Sequence, residues 1–178
     1  MRYPNSYLFS HDIDWFWLVN GVYVHVASAG GLIPDEINDI DELRRVQHQV
    51  EMLPDIYSDE DLQFNNEVIE SLLNNNLAES REEYIKSFAA MARKGFVTFD
   101  RTNIGDLLDN QYHMVCKPKT INRTPQGIDL QRTTFEYHGN YAEVVLQTEV
   151  LVPIILYLSL KKQKSSQTPS PQYAEIGA

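Results

Sequence analysis

The stretch His11-Asp12-Ile13-Asp14, followed at a distance by His25, holds the residue types that acid–base chemistry needs. A carboxylate touching an imidazole fixes the ring's tautomer and supports the imidazolium when it forms. Asp14 and His25 are expected to meet because they lie diagonally across one face of a candidate hairpin. His11, Asp14 and His25 are therefore the candidate catalytic residues, and with Asp12 they would also suit a metal ion. A hydrogen-bonded structural role accounts for the same residues without any reaction.

Cys116 and His113 are a second pair to weigh. They stand an odd number of positions apart in a candidate strand, so simple alternation sends them to opposite faces. Cys116, between Val115 and Lys117, is expected to be a small core residue. Other signatures are missing: the glycines never form a phosphate loop, no G-x-S-x-G elbow occurs, and one cysteine excludes C-x-x-C. No metal and no cofactor is assigned.

The charge pattern points to a different class of function. The net charge is −10, and residues 35–70 alone hold twelve acids against Arg44 and Arg45, also a balance of −10. Asp35, Glu36, Asp39, Asp59, Glu60 and Asp61 cluster around the two ends of a predicted helix. Such a surface attracts basic partners and speeds their association. The leading expectation is a non-enzymatic interaction protein that binds a basic protein there, in the manner of an inhibitor or immunity protein. The alternative is a small hydrolase with Asp14 and His25 as its acid–base pair. Solvated helix faces would carry the same charges with no partner at all. Lys117, Lys119 and Arg123 form a small basic group, but a pI of 4.9 argues against nucleic-acid binding.

The elements that must position these residues follow from periodicity. Residues 14–28 alternate around Asn20-Gly21, the strongest short hairpin signal, because a type I′ turn needs two residues at positive φ. The two-residue turn sets the register: Val19 with Val22, Trp17 with Val24, Trp15 with Val26. That face is dry and is expected to be core. The other face pairs Leu18 with Tyr23, Phe16 with His25 and Asp14 with Ala27.

About three helices follow. One starts near Pro34 with Asp35, Glu36 and Asp39 around its first turn, carries Ile37, Ile40, Leu43, Val46 and Val50, and ends at Pro54. A second is expected from Ser58, with Asp61 in a capping-box position, to the asparagines at 74–76. The third runs from Ser80, with Glu83 completing a capping box, to Lys94 and Gly95. The period then returns to two: strands are predicted at 96–100, 112–117, 131–138, 141–147 and 154–161, although 141–152 also fits a helix. The fold class is α+β, a hairpin and helices followed by a mostly antiparallel sheet, in one domain over 1–164. Residues 165–178 are polar and read as a disordered tail. The longest apolar run, 150–160, has 11 residues and a proline, too short to span a membrane. A lone thiol and no signal-peptide pattern suggest a cytoplasmic setting.

Overall fold

A computed structural model describes residues 1–19, 22–35, 37–75, 80–104, 112–128 and 130. Among these, four helices and a five-stranded mixed sheet give an α+β fold. The turn residues Asn20 and Gly21, the strands expected beyond residue 130 and the tail lie outside the described residues.

The hairpin forms in the register that its pattern dictates. Strands β1 (Asp14–Val19) and β2 (Val22–Ala27) are antiparallel, with Trp17 opposite Val24 and Trp15 opposite Val26. Trp15, Trp17, Val22, Val24 and Val26 are buried on one face with Val97, Phe99, Tyr112 and Met114. The short α1 (Asn5–Leu8), which no periodicity announced, contributes Leu8 to this cluster, and Ile33 joins from the chain after β2.

The first long helix, α2 (Ile40–Glu51), begins later than its apolar stripe suggests. Asp39 accepts from the backbone N–H groups of Asp41 and Glu42 and so ends the preceding turn as an N-cap. Pro34 to Asn38 form turns instead, with the N–H groups of Ile37 and Asn38 donating to the Pro34 carbonyl. Val46 and Val50 of α2 pack with Phe16 and Phe96 on the second face of the sheet.

The second expected helix is split. Ser58 and Asp61 do form a reciprocal capping box, but it caps one 3-10 turn, Asp59–Asp61. The chain then becomes strand β3 (Leu62–Phe64), antiparallel to residues 116–118, and resumes as α3 (Asn66–Asn74). Tertiary pairing at a sheet edge overrides the local helical pattern here. The third helix, α4 (Arg81–Arg93), matches its signals. Ser80 Oγ accepts from the Glu83 N–H, and Gly95, at φ 99°, takes the left-handed conformation that ends a helix cheaply.

Strands β4 (Val97–Arg101) and β5 (Tyr112–Pro118) complete a sheet of order β1-β2-β4-β5-β3. Three pairings are antiparallel; β2 with β4 is parallel. A parallel pair needs a crossover, and the helical segment between the two strands supplies it.

Candidate functional site

The parallel pair gathers the reactive residues. The C-terminal ends of β2 and β4 coincide, which brings His25 and Ser28 close to Asp100 and Arg101. Strands β1 and β5 run the other way, so residues near their starts, Asp14 and His113, arrive at the same end. Helix α4 precedes β4 and packs back along it, and its first turns bring Tyr84 there as well.

Asp14 and His25 meet as their diagonal positions imply. His25 Nε2 donates to Asp14 Oδ1 at 2.8 Å, which keeps a proton on Nε2. The two partners differ sharply in access. His25 is 1% exposed, whereas Asp14 is 50% exposed. The imidazole lies between Phe16 and Phe88, with ring centroids at 5.2 and 6.0 Å, and its Nδ1 has no hydrogen-bond partner.

The other members of the His-Asp stretch go elsewhere. His11 stacks on Tyr7, its Nδ1 2.9 Å from the Tyr7 carbonyl oxygen, and stays exposed. The sequence grouped it with Asp14 and His25; the structure instead joins it to the N-terminal helix. Asp12 Oδ1 accepts from the Ala29 N–H at 2.7 Å. It thereby braces a tight turn in which Ala29 (φ 44°) and Gly30 (φ 72°) both have positive φ and the Gly31 N–H bonds the Ser28 carbonyl. That is a type I′ turn, held with an alanine where glycine or asparagine is usual. The following Gly31 is required by close approach, since a Cβ there would fall on the buried Arg101 guanidinium. Among the described residues no three His, Cys, Asp or Glu side chains converge as metal ligands.

A second polar group, unannounced by the motifs, sits beside the dyad. Tyr84 Oη is 2.9 Å from Asp100 Oδ2 and 3.0 Å from His113 Nε2, and Thr102 Oγ1 is 3.2 Å from His113 Nδ1. Burial raises the Asp100 carboxyl to about 6, and it lowers His113 to about 4. Burial and the neighbouring Asp100 push the Tyr84 phenol above its ordinary range. The available signal was an ionisable residue at an inward position of each strand, Asp100 in β4 and His113 in β5. Its meaning depended on the pairing of the two, which places Asp100 opposite His113.

That pairing also revises the argument about Cys116. An extra residue in β5 shifts the register between Thr98 and Phe99, so the alternation that separates His113 from Cys116 breaks at a bulge. Cys116 stays fully buried with Val115 in the cluster under α4. Burial pushes its thiol up to about 12, which leaves it unreactive.

Four of the acidic candidates, Asp35, Asp39, Asp59 and Asp61, are exposed and engaged within the fold. Asp35 pairs with Arg2 at 3.3 Å, and Asp39 caps α2 while its second oxygen lies 3.4 Å from the N-terminal amine. Asp59 and Asp55 both hold Arg93 of α4, at 2.8 and 2.9 Å. Asp61 accepts from the N–H and hydroxyl of Ser58, bonds that hold its carboxyl below the usual range. Glu60 is exposed, with Lys119 donating to its backbone carbonyl; Glu36 lies outside the described residues. The N-terminal amine, Arg2 and Arg93 thus pair with Asp39, with Asp35, and with Asp55 and Asp59 of the acidic stretch.

Compared with models of protein families, with curated proteins and with solved structures, the chain matches none. Among the described residues no helix is long and apolar enough to cross a membrane. Function therefore has to be argued from the polar end of the sheet itself.

Proposed function

We propose that the protein is a small hydrolase whose reacting group is the Asp14 carboxylate, held in place by His25. The observation that carries this reading is the 2.8 Å contact between an enclosed imidazole and a half-exposed carboxylate. Access decides the roles. His25 is out of reach of a substrate, so it acts as a positioning residue: its Nε2–H occupies one oxygen of Asp14 and orients the carboxylate. Asp14 faces solvent and takes a proton from the attacking water as general base. A cytoplasmic setting belongs to the same proposal, supported by the single buried thiol.

The test is turnover of a panel of chromogenic esters and phosphoesters by the full chain. Asp14→Asn should lower kcat by roughly 10²-fold or more, the usual scale for loss of a general base. His25→Gln should lower it less and leave KM unchanged. Turnover that survives Asp14→Asn, or no turnover of any class, overturns the reading.

A second reading is favoured by one specific observation. Asp35 and Asp59, though paired, are 82% and 78% exposed, so a basic protein could compete for them. In that case the protein binds such a partner around the ends of α2, as an inhibitor or immunity protein would. Association should then slow and lose salt dependence when Asp35 and Asp59 are replaced by lysine.

A further inference from the structure

We propose that Asp100, Tyr84, His113 and Thr102 form a reversible proton relay, in which His113 changes tautomer, not charge, as Asp100 gains or loses its proton. This relay does not include Asp14 and stands whether or not Asp14 is catalytic.

The geometry leaves two self-consistent arrangements of the three hydrogen bonds. With Asp100 ionised, both its oxygens only accept: Oδ1 from the Arg101 N–H at 2.8 Å, and Oδ2 from Tyr84 at 2.9 Å. The Tyr84 hydroxyl has one proton, so having donated it must accept from His113 Nε2–H at 3.0 Å. His113 Nδ1 is then a bare acceptor, and Thr102 Oγ1–H donates to it at 3.2 Å. With Asp100 protonated, each of these bonds reverses. Asp100 donates to Tyr84, Tyr84 donates to His113 Nε2, and His113 Nδ1–H donates to Thr102. The polar side-chain atoms of Asp100, Tyr84 and His113 are all satisfied in both arrangements, so neither is excluded by an orphaned group.

The step between them balances. A proton from solvent joins the Thr102 oxygen, whose own proton passes to His113 Nδ1. The Nε2 proton moves to Tyr84 Oη, and the Tyr84 proton moves to Asp100 Oδ2. Each intermediate group gains one proton and loses one; Asp100 gains one and solvent supplies it. Thr102 is only half-buried and gives the relay its outer end, while Asp100 and His113 are 7% and 2% exposed.

The surroundings favour a change at Asp100 over one at the imidazole. The ionisable groups around Asp100 are Tyr84 on α4, His113 on β5, His25 with its Asp14 on β2 and β1, and Asp12 ahead of β1, with Arg101 next in β4. Burial raises Asp100 to about 6, helped by Asp12 and opposed by the Tyr84 and Arg101 bonds and by His25. His113, lowered by burial to about 4, stays neutral while Asp100 titrates. Tyr84 is held in its phenol form throughout, so it conducts without ionising.

The deciding experiment is nitrogen-15 NMR of the histidine rings in the full chain, followed from about pH 8 to about pH 5, across the range where Asp100 and an ordinary histidine titrate. His113 should show Nε2–H at the upper end and Nδ1–H at the lower, exchanging without a doubly protonated form. Asp100→Asn should lock it as Nδ1–H at every pH, because the amide accepts from Arg101 and can only donate to Tyr84. Tyr84→Phe should abolish the exchange, and it serves as the second variant if Asp100→Asn fails to fold; dispersed amide signals report folding. An unchanged His113 tautomer in the wild type overturns the relay. So does a doubly protonated ring near pH 6, or an exchange that persists in Tyr84→Phe.

Discussion

The two faces of the β1–β2 hairpin are built from alternate residues of one short stretch, yet they obey different rules. On one face the carbon surfaces of Trp15, Trp17, Val22, Val24 and Val26 need only volume and exclusion from water. On the other, Asp14 and His25 sit beside Asp100, His113 and Tyr84, and nearly every one of these groups has a named partner. A buried apolar residue is satisfied by any close neighbour, whereas a buried ionisable one is satisfied by particular atoms at particular distances. The dry face is therefore set locally by the hairpin, and the polar face has to be assembled from distant parts of the chain.

The largest expected effect lies on the dry face. Trp17→Ala should cost ~3–5 kcal/mol in urea titrations, the scale of large aromatic truncations in cores. Its cost should be the same between about pH 5 and pH 8, since the buried residues of this cluster carry no group that titrates in that range. A loss under about 1 kcal/mol would mean the face is not tightly packed after all.

The polar face should answer to pH in two opposed ways. Asp100 binds its proton more tightly in the folded chain, at about 6 against 3.8, so its contribution is full below 3.8 and lost as pH rises through 6. His113 binds its proton less tightly, at about 4 against 6.5, so its contribution is full above 6.5 and lost as pH falls toward 4. Each spans roughly 3 kcal/mol, and in the shared window they oppose each other. Stability of the wild type should accordingly change little between these limits. His113→Gln should leave a stability that falls as pH rises through the window, and Asp100→Asn one that rises. Matching slopes in both variants would break the comparison between the faces.

Smaller changes sharpen it. Tyr84→Phe removes the bridge between Asp100 and His113 and should cost ~1–3 kcal/mol, the scale of stranding buried polar partners. Ser80→Ala, which removes the cap of α4 and no ionisable group, should cost about 1 kcal/mol with no pH dependence. Ala29→Gly should go the other way. It relieves the positive φ in the turn that Asp12 braces and should stabilise by about 0.5 kcal/mol, the left-handed strain less the added chain entropy.

The sequence by itself determined the elements whose forces are local. Alternation about Asn20-Gly21 set every pair of the hairpin register, including the diagonal that joins Asp14 to His25. The capping signals at Ser80 and Gly95 set both ends of α4. Where neighbours remote in sequence compete with local preference, that reading failed: the helix expected from Ser58 yields to β3 because residues 62–64 complete the sheet edge beside β5. The alternation in β5 fails at its bulge for the same reason, since the pairing with β4 decides which side each residue faces. Only the tertiary structure decided which of the reactive residues share a site. His11 lies closer in sequence to Asp14 than Asp100 does, yet it stacks on Tyr7, while the parallel pairing of β2 and β4 brings Asp100 to His25's end of the sheet. Part of the acidic stretch is paired in the same way, by Arg93 from α4 and Arg2 from the N-terminus. Charge balance and hydrogen-bond satisfaction are properties of neighbours in space, and a strand order that pairs residues some seventy positions apart cannot be read from either of them alone.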